Sequence, residues 1–132
     1  MDILVDTSVL IAVITNEPIR PRLIDLTMGA HLLAPASVPW EIGNAFSAML
    51  KRKRATLEQI QQAWAAYQQI PLRFVTIDIG HALIIAAKYD IYAYDAYFIA
   101  GALQQKSALI TLDGGLRQAA HQAGVTILEV TP

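Results

Sequence analysis

The chain has 132 residues, 55% hydrophobic and only 16% charged, with ten basic side chains against eleven acidic ones and no cysteine. That length suits a single hydrophobic core across residues 1–132 without a second domain, and the composition is far from that of disordered chains. The missing thiols exclude a disulfide framework, thiolate zinc sites and a cysteine nucleophile, and a net charge of −1 is not the general signature of a nucleic-acid binder.

Ile3 to Val5 is a short β-branched apolar run that reads as a buried first strand. Asp6, Thr7 and Ser8 follow it, all residue types that favour a helix N-cap, and an apolar helix then runs to Ile14 before Asn16-Glu17-Pro18 interrupts. A second helix spans about Ile19 to Met28 and closes at Gly29, and His31 to Ala34 forms a second strand ended by Pro35. Ser37 can cap a helix with Pro39 in its first turn, which carries Ile42, Phe46, Met49 and Leu50 as its apolar stripe and continues to about Lys53.

Thr56 and Gln59 have capping-box spacing at the start of a helix that reaches about Gln69 and stops at Pro71. Arg73 to Ile77 alternates as a third strand, and Asp78 can cap the helix after it. A helix from about Tyr94 to Gln105 leads to a fourth strand, Ala108 to Leu112. Asp113-Gly114-Gly115 turns into a last helix ending at Gly124, and Val125 to Val130 reads as a fifth strand. Short apolar strands alternating with helices predict an α/β fold: a central, mainly parallel sheet of about five strands with helices on both faces. Ligands of such sheets bind outside the carboxyl ends of the strands.

Asp6 directly follows the first strand and Asp113 the fourth, which puts both at that edge; each is equally an ordinary helix cap. Glu41 lies among Trp40, Ile42 and Phe46. Asp95 shares a helix face with Phe98, Ile99, Ala102 and Leu103, which predicts substantial burial with no Lys or Arg within a turn. Four carboxylates converging without a basic partner would repel one another, a conflict that a divalent cation relieves; oxygen-only ligands favour Mg²⁺ or Mn²⁺ over zinc. His31, His81 and His121 are isolated and show no ligand spacing.

Setting aside those four acids leaves seven against ten bases, so a polyanionic substrate is compatible with the net charge. Lys51-Arg52-Lys53-Arg54 is the dense basic cluster; it suits phosphate binding and equally a cationic helix end that complements the macrodipole. The aromatic group Tyr89, Tyr92, Tyr94, Tyr97 and Phe98 suits base stacking and equally core packing.

Four segments together resemble the PIN-domain ribonucleases, specifically the VapC-type toxins of prokaryotic toxin-antitoxin pairs. They are Ile3-Leu4-Val5-Asp6-Thr7-Ser8-Val9-Leu10, Pro39-Trp40-Glu41-Ile42-Gly43-Asn44-Ala45, Tyr94-Asp95-Ala96-Tyr97, and Thr111-Leu112-Asp113 with Gly114-Gly115-Leu116 and Ala119-Ala120. The resemblance implies a metal-dependent endoribonuclease. Its acidic quartet falls on Asp6, Glu41, Asp95 and Asp113, with Asp6 and Asp95 as principal ligands of Mg²⁺ or Mn²⁺. The hydroxyl after the first acid falls on Thr7 or Ser8, and Asn44, one turn from Glu41, joins the polar rim. Gly114-Gly115 after Asp113 departs from the pattern. The implied partners are an RNA substrate, a small VapB-like antitoxin that covers the groove, and a second copy in a homodimer.

No apolar run approaches the roughly 20 residues of a membrane span, and no basic stretch precedes an apolar one at the amino terminus, so the expected home is the cytoplasm. Two other readings compete. A phosphatase of the haloacid-dehalogenase type wants a second aspartate two positions after the first, where Ser8 stands; a binding module would keep the fold without the chemistry.

Overall fold

The computed structural model describes residues 1–131. Four strands, β1 (Asp2–Val5), β2 (His31–Pro35), β3 (Leu72–Val75) and β4 (Ala108–Ile110), form one all-parallel sheet in the order β3-β2-β1-β4. Seven helices connect and follow them among the described residues: α1 (Thr7–Ile14), α2 (Arg20–Thr27), α3 (Val38–Lys51), α4 (Leu57–Gln68), α5 (Ile79–Tyr89), α6 (Ala93–Gln105) and α7 (Gly114–Gln122). The predicted alternation of strands and helix pairs is therefore present.

Ile3, Leu4 and Val5 are consecutive and all buried, as are Leu109 and Ile110. Successive strand residues point to opposite faces, so burial of every one means that both faces are covered. Full burial of such a side chain contributes about 1.5–3 kcal/mol, and the paired segments Ile3–Val5 and Ala108–Ile110 are apolar throughout. Val38, Ile42 and Phe46 recur every fourth residue and bury the inner stripe of α3. The helix α6 packs tightly on the sheet at Gly101, where a β-carbon would meet Leu4 Cδ1 at 2.9 Å and Ile77 Cδ1 at 3.0 Å.

Local chemistry sets several helix ends. Thr56 and Gln59 complete the capping box of α4, with bonds of 3.2 and 2.9 Å. Asp78 Oδ1 accepts from the His81 amide at 3.1 Å and caps α5. Lys51 lies in the last turn of α3, and Lys51 to Arg54 are exposed, as a cationic helix end requires.

Strands β1 to β3 each gain one residue at one end, Asp2, Pro35 and Leu72, and three larger differences from the sequence reading have identifiable causes. The expected third strand, 73–77, ends at Val75 because the Gln104 side chain donates to the Thr76 carbonyl at 3.1 Å and accepts from the Asp78 amide at 3.0 Å. The expected fourth strand, 108–112, ends at Ile110 because the Leu112 amide donates to Ser8 Oγ at 3.1 Å. The fifth strand, Val125 to Val130, contracts to one parallel bridge between Leu109 and Ile127, so the sheet has four strands. Its neighbour β4 is only three residues long, and Ile127 and Leu128 are both half-buried, which breaks the alternation that a strand would need.

Candidate active site

Strand register builds the first part of the site. Ile3, Leu4 and Val5 pair with Ala108, Leu109 and Ile110, and the Asp6 amide donates to the Ile110 carbonyl at 3.1 Å. Asp6 and Thr111 therefore leave the neighbouring strands β1 and β4 side by side. Asp6 is 6% exposed, and its Oδ2 accepts from Thr111 Oγ1 at 2.6 Å and from Ser8 Oγ at 2.7 Å. Asp6 occupies the N-cap position of α1, yet its side chain makes no cap hydrogen bond. The carboxylate is held as a fixed acceptor instead.

The two hydroxyls extend that network into the next loop. Thr111 Oγ1 accepts from the Asp113 amide at 3.0 Å while Ser8 Oγ takes the Leu112 amide. Asp113 Oδ1 accepts from the Leu116 amide at 3.1 Å, so it caps α7, and the side chain is exposed. Capping and membership of the acidic group coexist in this residue.

Glu41 enters from the first turn of α3 and is half-buried. Thr7 Oγ1 donates to its Oε1 at 3.2 Å and Ser37 Oγ to its Oε2 at 2.9 Å. The sequence reading made Ser37 a helix cap; it stands at that position without a cap hydrogen bond, because its hydroxyl serves Glu41. Asp95 enters from the first turn of α6 and is half-buried rather than deeply buried. Phe98, Ile99 and Ala102 descend into the core from the same helix, whereas Asp95 sits at its rim, where the sheet edge ends.

These acids feel one another. Burial pushes the Asp6 carboxyl up, the Thr111 and Ser8 hydroxyls oppose the rise, and the charge on Asp113 adds to it. Glu41 is raised by burial, against the Ser37 and Thr7 hydroxyls, with Asp6 and Asp95 adding charge repulsion. Asp95 is raised by burial and then by Asp113 and Asp6. The single ion pair among the described residues, Arg117 with Glu129 at 3.6 Å, involves none of them. Four carboxylates from four different segments thus share one sheet edge without a bound basic side chain.

Their present arrangement is open: among the described residues, no group of three or more acidic or histidine side chains is arranged to hold a metal ion. The donor chemistry nonetheless fits a hard divalent cation, because the group offers only oxygens and carries uncompensated negative charge. Thr7 and Ser8, expected as alternatives, both take part, one on Glu41 and the other on Asp6. Asn44 does not join them; it is exposed, and its side chain makes no hydrogen bond within the described chain. Thr111 and Ser37 escaped the sequence reading as site residues. A hydroxyl two residues before Asp113 and another four before Glu41 were the available signals.

A family profile described as PIN domain matches residues 3–122. The chain belongs to the PIN-domain family. Among solved structures, this PIN domain is similar to PAE2754 from Pyrobaculum aerophilum, with 19% identity and a TM-score of 0.71, over 90% of this chain and 79% of that one. It is also similar to VapBC2 from Rickettsia felis bound to a DNA fragment from their promoter, with 14% identity and a TM-score of 0.66 over 98% of each chain. FitAcB from Neisseria gonorrhoeae matches with 22% identity and a TM-score of 0.62 over 96% of each chain. These likenesses establish the fold of the PIN domain. Sequence comparison with curated proteins finds no match.

Proposed function

We propose that this PIN domain is a metal-dependent endoribonuclease of the toxin type, cleaving RNA phosphodiester bonds at Asp6, Glu41, Asp95 and Asp113. What supports the reading is that those four carboxylates lie along one carboxyl edge of the sheet, close enough for their charges to act on one another, with no cationic side chain paired to them among the described residues. Asp6 and Asp95 would be the principal ligands of Mg²⁺ or Mn²⁺, with Glu41 and Asp113 completing the shell. Bound there, the ion would supply a water of lowered pKa and neutralise charge developing on the phosphodiester. The acids must draw closer than they stand here to ligate one ion together.

The protein's own contribution is orientation. Two hydroxyls fix Oδ2 of Asp6, and Oδ1, which takes neither of them, would be the oxygen for ligation. Glu41 is held through both oxygens by Thr7 and Ser37, and a carboxylate so positioned and raised by burial suits acceptance of a proton from water. Asp113 is anchored by the α7 amide that it caps.

The test is cleavage of RNA by purified protein with Mg²⁺ or Mn²⁺, with chelator, and beside Asp95→Asn. Ion-dependent cleavage that the variant lacks supports the reading; equal cleavage by the variant overturns it. The open arrangement of the acids favours a second reading, a PIN-fold binding module without catalysis. Calorimetric titration with Mn²⁺ separates the two, since the module has no need to bind the ion through Asp6 and Asp95.

The proposal includes a small antitoxin partner, a homodimer and a cytoplasmic home. Exposed Ile79, Leu83 and Ile84 on α5 and a groove of about 610 Å³ lined by Ile11, Ile14, Phe46, Met49 and Ile60 supply apolar surface for protein contacts. Among the described residues no helix is long and apolar enough to cross a membrane.

A further inference from the structure

Beside the acids, the same sheet edge carries a cleft of about 290 Å³ over the ends of β2 and β3. Pro35, Ser37, Trp40, Ile77, Tyr94 and Tyr97 are among its lining residues, and none of the lining residues carries a charge. Trp40 is the residue before Glu41, and Tyr94 is the residue before Asp95. One step along a helix turns a side chain by about 100°, so each acid has an aromatic ring beside it on its own helix. Ser37 joins the two regions, lining the cleft while donating to Glu41.

The rings are not there to fill the core. Trp40 is 75% exposed and Tyr94 54% exposed, whereas α3 buries Val38, Ile42 and Phe46 and α6 buries Ala96, Phe98, Ile99 and Ala102. Tyr97 meets Tyr94 edge-on, with centroids 5.7 Å apart at 84°, which supports the Tyr94 ring from one side and leaves its remaining surface to the cleft. An uncharged aromatic cleft directly beside an acidic centre suits the flat, neutral part of a molecule whose anionic part lies at the acids.

We propose that this cleft is a stacking subsite for one unpaired base of single-stranded RNA next to the scissile phosphate, with Trp40 and Tyr94 as binding residues. The inference rests on the nuclease reading for its substrate, and adds that a duplex, whose bases stay stacked on each other, is a poor ligand. Base stacking on an aromatic side chain is sequence-tolerant, so the subsite selects for strandedness before sequence.

The test uses the full chain in a Trp64→Phe background, which leaves Trp40 as the sole tryptophan. Poly(U), poly(A) and an abasic ribose-phosphate oligomer are titrated into Asp95→Asn protein while Trp40 fluorescence is followed; the first two quench it and the abasic oligomer does not. In the cleaving protein, Trp40→Ala raises KM for single strands roughly tenfold to a hundredfold with kcat little changed, and Trp40→Phe restores most of the loss. Fluorescence indifferent to bases, or an unchanged KM in Trp40→Ala, overturns the subsite even where cleavage is intact. Base-dependent quenching in a protein that cleaves nothing upholds the subsite and overturns the nuclease reading. A smaller assembly on sedimentation of Trp40→Ala, with KM unchanged, assigns the cleft to a protein contact and also overturns the proposal.

Discussion

Over β1 and β4, the carboxyl edge of the sheet is polar and tightly tied; over β2 and β3, it is apolar and loosely filled. In the first half, one buried carboxylate takes two hydroxyls at 2.6 and 2.7 Å, and those hydroxyls in turn hold two backbone amides. In the second, Trp40 and Tyr94 stand exposed around an uncharged cleft. The contrast has a physical cause. A buried charge costs several kcal/mol unless its lone pairs are satisfied, so the acidic half has to be over-determined by hydrogen bonds. An aromatic ring makes no such demand, so its half needs shape alone.

That contrast predicts a hierarchy of effects. The largest belongs to Asp6→Asn, which should reduce ion-dependent RNA cleavage by roughly a thousandfold while circular dichroism stays unchanged, since several kcal/mol of metal-derived stabilisation is lost. Retained cleavage would remove chemistry from the polar half. Gly101→Ala forces a β-carbon against Leu4 and Ile77 beneath the two halves, and should lower stability by about 1–3 kcal/mol in urea denaturation. A neutral result would mean that the ends of the Leu4 and Ile77 side chains give way without cost.

Thr111→Val keeps shape but removes the donor to buried Asp6 and the acceptor for the Asp113 amide. It should cost about 1–3 kcal/mol in the same assay, and cleavage should fall with it. Equal stability would show that the hydroxyl network is ornamental to the fold.

A pH effect comes next. Burial and neighbouring negative charge raise Asp6, Glu41 and Asp95, so between the ordinary carboxylate range and these raised values the folded chain binds more protons than the unfolded one. Stability of the ion-free protein therefore rises as pH falls through the raised values, and this gain stops below the ordinary range. Asp95→Asn removes part of the slope: at mildly alkaline pH without divalent ions it should melt above the parent, and the gap should narrow as the pH falls. A constant gap would deny that burial and the neighbouring acids raise the Asp95 carboxyl. The smallest effect is that of Trp40→Ala on stability, expected within about 0.5 kcal/mol because the ring is exposed.

Much of the site was legible in the chain because its chemistry is local. Asp6 follows a β-branched run, Glu41 and Asp95 stand in apolar helices without a basic neighbour, and Asp113 precedes two glycines at a helix start. Asp78 and the Thr56 box act as caps because a cap depends on residues three positions apart. Asn44 lies one turn from Glu41 as its spacing predicts, but it is exposed and takes no part in the hydrogen-bond network of the acids, because helical spacing sets neighbourhood along α3 and not which way a side chain faces.

By itself, the amino-acid order determined the alternation of strands and helices, the acids on offer and most of the helix ends, since each follows from interactions within a turn or two. Only the tertiary structure decided that Asp6 meets a hydroxyl 105 positions away, and that Ser37 turns from its helix amides to Glu41. It also left Asp95 at the rim, shrank the fifth strand to a single bridge, and brought Trp40 and Tyr94 into one cleft. Those outcomes depend on strand register and on how helices dock, and both are set by contacts between segments that no local pattern encodes.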